Sequence, residues 1–77
     1  MIPKVNERYQ SADSRYDDVC FRPDKRFYWY EVIGIKYESD GRMQLFPIAC
    51  GLTLAAARNV IRRNAKVCGP RTATKVR

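Results

Sequence analysis

No histidine occurs anywhere in the 77 residues of this chain. That removes the side chain most often used as a general base near neutral pH, and the commonest metal ligand. The three cysteines, Cys20, Cys50 and Cys68, are far apart and odd in number. They form no Cys-x-x-Cys pair, so the four close ligands of a zinc site are missing, and a disulfide framework would want an even count. Free buried thiols in a reducing compartment are the expectation. A glycine-rich phosphate loop is also absent, and the adjacent acids Asp17 and Asp18 would point in different directions on a strand or a helix. The sequence therefore predicts a non-enzymatic protein with no cofactor and no metal. No apolar run approaches the ~18 residues of a membrane span. The opening Met1-Ile2-Pro3-Lys4-Val5-Asn6-Glu7-Arg8 has no apolar core of a secretory signal. A cytoplasmic protein without a membrane partner is expected.

The other absence is positional. The chain holds 15 basic and 8 acidic residues, for a net charge of +7, yet no acid follows Asp40. Residues 1–41 carry seven basic groups against eight acids, a net of −1, while residues 42–77 carry eight basic groups and no acid, a net of +8. Aromatic residues show the opposite bias, all nine lying at or before Phe46. The first half reads as the folded wall and the second as the part that presents charge.

What is present fits one small domain. Apolar residues make up 45% and charged residues 30%, in the range of a globular chain rather than a disordered one. Residues 1–17, polar and mixed in charge, read as an N-terminal arm in which Tyr9 and Tyr16 are isolated aromatics. Residues 18–22 read as a short strand and Pro23-Asp24-Lys25 as a turn. Residues 26–37, rich in aromatic and β-branched side chains, give the strongest strand signal. Asp40-Gly41 reads as the centre of a two-residue hairpin turn, returning into a strand over 42–49. That turn pairs Tyr37 with Gln44, Ile35 with Phe46 and Ile33 with Ile48. One face then holds Phe27, Trp29, Ile33, Ile35, Phe46 and Ile48, and is the expected core. Glu31 falls awkwardly on that face, either beyond the covered area or moved by a bulge. Pro47, which has no N–H to give a ladder, places its strand at a sheet edge.

Residues 53–68 read as a helix with Thr53 as N-cap and Gly69-Pro70 as the stop. Leu54, Ala57, Ile61, Ala65 and Cys68 form its apolar stripe, flanked by Val60 and Val67. Asn64 lies within that arc and needs a hydrogen-bond partner. The fold expected is α+β: a two- or three-stranded antiparallel sheet packed on one C-terminal amphipathic helix. A β-β-β-α domain would cover 18–69 and a basic tail 70–77.

Two features point to function. Arg58, Arg62 and Lys66, four residues apart, form a basic ridge on the helix, with Arg63 beyond it, and Arg71, Lys75 and Arg77 continue the charge into the tail. Like charges at this spacing cost a helix roughly 0.2–0.5 kcal/mol per pair. The helix dipole offsets part of this for the cations near the C-terminal end, but it explains neither the missing acids nor the tail. Ten of the fifteen basic residues are arginine, which suits two-pronged contact with phosphate. DNA or RNA is the leading partner, and an anionic host protein surface the rival. The second feature is the other sheet face, where Tyr28 and Tyr30 stand near Lys36 and Arg42 with Met43 and Leu45. If uncovered, it would stack bases, dock a partner or form a homodimer. If covered, the N-terminal arm does so through Tyr9 or Tyr16.

A small sheet followed by a helix resembles, in architecture alone, the N-terminal DNA-binding domains of tyrosine recombinases and plant-type domains that read DNA with a three-stranded sheet. The size, charge and plan are also similar to accessory proteins of phages and mobile elements. Such a protein would bind and inhibit a host defence or transcription complex.

Overall fold

The computed structural model describes residues 2–25 and 29–66. Four strands, β1 (Tyr9–Gln10), β2 (Asp18–Asp24), β3 (Trp29–Tyr37) and β4 (Met43–Leu52), are followed by one helix, α1 (Leu54–Asn64). All neighbours are antiparallel and lie in chain order, β1-β2-β3-β4. The fold is a small α+β domain, with four strands where two or three were expected. The additional strand is β1. Two residues long, it has too little β-branched or alternating sequence to be seen before its pairing is known.

α1 buries Ala57, Val60 and Ile61, the i, i+3, i+4 spacing of a single helical stripe. They pack with Ala65 on Tyr9, Val19, Phe21 and Val32, and Tyr30, Ile48, Leu52 and Leu54 close the margin. Phe21 and Tyr30 meet edge to face at 5.8 Å between ring centroids. The helix therefore covers the face of Tyr30 and Val32. The opposite face, expected to be the core, carries a smaller cluster of Cys20, Ile33 and Ile35 flanked by Tyr37. Cys20, Ile33 and Ile35 are buried as well, at 6%, 5% and 2% exposure.

The reason lies in the hairpin. Glu38 N–H donates to the Arg42 carbonyl at 2.7 Å, and Gly41 N–H to the Glu38 carbonyl at 3.0 Å. The loop is thus Ser39-Asp40-Gly41, a turn closed by Gly41 at φ 92°. It has three residues where two were expected. One residue of slip moves every side chain of the returning strand to the other face. Tyr37 pairs with Met43, Ile35 with Leu45 and Ile33 with Pro47. Met43 and Leu45 join Ile35 and Tyr37, and Phe46 faces Gly34 instead. Two register shifts near Val32 follow, pairing Val32 with Ala49 and Tyr30 with Leu52, and Ile48, on the same face as Phe46, packs on the helix core. Glu31 is no longer awkward, because it pairs with Arg22 on the face opposite the helix at 2.6 Å. Pro47 lies on an edge strand, as its missing donor requires.

The helix is shorter than expected. Thr53 caps it, its hydroxyl accepting from Ala56 N–H at 3.1 Å, but it ends at Asn64 rather than 68. The Asn64 amide donates back to the Val60 carbonyl at 2.8 Å, which supplies the partner its position demanded. Ala65 turns extended and bridges Ser11. Lys66 N–H then donates to the Gln10 carbonyl and Ala12 N–H to the Asn64 carbonyl, each at 2.8 Å. Competition from the β1 backbone, invisible in a helical wheel, stops the helix. The expected continuation through Val67 and Cys68, and the 70–77 tail, lie outside the described residues.

Candidate nucleic-acid interface

The outer face of α1 has no acid in its first turn and has Arg62 and Arg63 in its last. Both are exposed, as is Lys66 just past the helix end. The two arginines complement the negative end of the helix dipole, and both face outward. Arg62 also reaches back one turn to the Asn59 side-chain oxygen at 2.8 Å.

Arg58 differs. It is half-buried, and its Nε donates to the Pro3 carbonyl at 3.1 Å. Pro3 itself is fully buried. Part of the ridge thus has a structural task, clamping the N-terminus to the helix. The same contact brings the backbone of exposed Lys4 beside the ridge. The two segments are 55 residues apart, so no local signal in the sequence announces this.

The acids lie elsewhere, several of them occupied. Asp13 pairs with Arg15 at 2.7 Å and Asp40 with Arg42 at 2.7 Å. The Arg15 guanidinium holds the Asp13 carboxyl below the usual range. Asp17 accepts from Tyr37 N–H at 2.8 Å, and Asp18, almost fully buried, accepts from the Tyr37 hydroxyl. Burial, then the bond to Asp18, pushes the Tyr37 hydroxyl above its ordinary value. None of these acids is on α1.

The second expected site is divided by the structure. Tyr30 packs into the helix-covered core together with Tyr9. Tyr16 covers the same face further along, its ring over Gly34 and 5.6 Å from the Phe46 ring. Lys36 is half-buried at the far end of β3, and Arg42 is exposed and paired with Asp40. These residues do not converge into one platform. Tyr28, Arg71, Lys75 and Arg77 lie outside the described residues.

Cys20 is buried as expected, and burial pushes its thiol up, but Cys50 on the edge strand is exposed rather than buried. Among the described residues no group of three or more His, Cys, Asp or Glu side chains is placed to hold a metal, and no helix is long and apolar enough to cross a membrane. An open cleft of about 500 Å³ lies where β2 ends, lined by Arg22, Pro23, Asp24, Lys25 and Glu31. It mixes charges of both signs. No protein-family model, curated protein or solved structure matches this chain.

Proposed function

We propose that the protein is a non-enzymatic nucleic-acid-binding module that contacts the phosphate backbone through the outer face of α1. The observation that carries this reading is the run of Arg58, Arg62, Arg63 and Lys66 on and just beyond one helix with no acid among them. Arg62 and Arg63 are the principal contacts. Lys66 follows them at the helix exit, Lys4 adjoins the Pro3 held by Arg58, and Arg71, Lys75 and Arg77 add to the positive charge of the chain. Arg58 contributes charge, but its position is set by Pro3. Affinity of this kind comes from counterion release, so it falls with salt at about 0.9 log units per phosphate contact per log unit of salt on duplex DNA.

The test is a binding titration against duplex DNA, single-stranded DNA and RNA across a series of salt concentrations. Steep, salt-dependent binding to at least one of them is expected. No binding to any of them at low salt contradicts the reading. A stoichiometric protein partner retained from lysate after nuclease treatment would favour the host-protein reading instead.

A further inference from the structure

α1 packs inward through Ala57 and Ile61, both at 0% exposure. Asn59 is two residues from each, so at about 100° per residue it points away from the sheet. Ala55, Arg62, Arg63 and Lys66 are exposed on the same side. Asn59 is therefore the middle of the outward stripe and not a residue at its margin. An exposed asparagine inside a helix is a poorer choice than alanine, because its amide competes for nearby backbone groups. It caps nothing here, since Thr53 and Ala65 hold those positions.

The Asn59 side chain is nevertheless oriented. Arg62 Nη1 donates to Asn59 Oδ1 at 2.8 Å, and a guanidinium has no acceptor, so it is the amide oxygen that faces Arg62. The Nδ2 donors and a second Oδ1 lone pair are left for an outside partner. Charge is graded along the same stripe. Its first two turns direct only Ala55 and Asn59 outward, Arg58 being turned to Pro3, and the cations gather at Arg62, Arg63 and Lys66. Such a face is small and neutral at one end and held by anions at the other.

We propose, resting on the nucleic-acid reading above, that α1 enters the major groove of duplex DNA and that Asn59 reads an adenine edge there, while Arg62, Arg63 and Lys66 hold flanking phosphates. The B-form major groove is about 12 Å wide and admits a helix about 10–12 Å across. The major groove of duplex RNA is too deep and narrow for side chains to read. Single strands are bound by stacking their bases on aromatic rings, and no aromatic follows Phe46, so the stripe has no ring to offer. An asparagine amide matches adenine, with Nδ2 donating to N7 and Oδ1 accepting from the N6 amino group. The Arg62 bond ties that base contact to a phosphate contact one turn further on.

The test is selection from a pool of duplexes with a randomised core at moderate salt, followed by titration of the enriched duplex. One adenine position should be strongly fixed. Asn59→Ala should lower affinity for the enriched duplex on the order of tenfold and relax the preference at that position. The salt slope and the circular dichroism spectrum should not change, because no phosphate contact is lost. Placing 7-deazaadenine at that position removes the N7 acceptor. It should weaken binding of the native chain by a similar factor and leave Asn59→Ala unaffected. Duplex binding without enrichment, or an enriched duplex bound equally well by Asn59→Ala, overturns this inference and leaves phosphate binding standing. Preference for RNA or single strands over duplex DNA overturns it too. No binding to any nucleic acid overturns the function it rests on.

Discussion

Gly34 has no side chain because Tyr16 needs the room. A Cβ there would sit 2.5 Å from the Tyr16 ring, at its Cγ. Gly34→Ala must displace a ring wedged against Phe46, and should cost about 1–3 kcal/mol in chemical denaturation. Tyr16→Ala in the same chain should make the added methyl nearly harmless, and additive destabilisation would show that the clash is not the cause. Tyr37 is a second residue with a defined cost. Tyr37→Phe leaves the buried Asp18 short of one donor and should cost about 1–3 kcal/mol. The Tyr9 and Tyr37 hydroxyls hold their protons to higher pH when folded than the ordinary 10.0, for both chiefly because of burial. The folded chain then binds more protons than the unfolded one, so stability is complete below about pH 10 and falls as pH rises through the folded values. Denaturation midpoints should decline in that window, less steeply for Tyr37→Phe. A flat profile between about pH 9 and about pH 11 would contradict this. Neither the Gly34–Tyr16 contact nor the Tyr37–Asp18 bond is legible in the sequence, since each joins residues from separate elements.

The elements are legible in kind, and their alignment is not. The β-branched and aromatic run before Asp40, the Asp-Gly turn and the Thr53 cap all form as their chemistry dictates. The face that meets the helix depends on a single loop residue, because a three-residue turn closed by Gly41 and a two-residue turn share the same Asp-Gly signal. Glu31, out of place on an apolar face, is the one residue that marks the two-residue register as wrong. Its Arg22 partner lies on a strand whose register composition does not reveal. The helix end is hidden for a similar reason, its terminator being the β1 backbone rather than Gly69-Pro70. Gly41, at φ 92°, should tolerate alanine poorly, with a destabilisation of about 1–2 kcal/mol. Thr53→Ala should cost about 1 kcal/mol by freeing the Ala56 N–H. Equal stability of native and Gly41→Ala chains in urea would argue against the left-handed turn.

Across the whole molecule the charge asymmetry becomes spatial. The carboxylates whose partners are seen lie along the sheet and its loops, while α1 and its exit carry cations alone. The asymmetry is plain in the sequence. The diversion of Arg58 to Pro3 is not, and it leaves Arg62 and Arg63 as the side chains on which phosphate binding by the helix would chiefly depend. The most direct test of that binding is the slope of log affinity for duplex DNA against log salt, in native chain and in Arg62→Ala/Arg63→Ala. A steep native slope is predicted, becoming shallower by roughly 2 in the double variant, about one for each phosphate no longer neutralised. Native binding with the same slope and affinity in the double variant would contradict it.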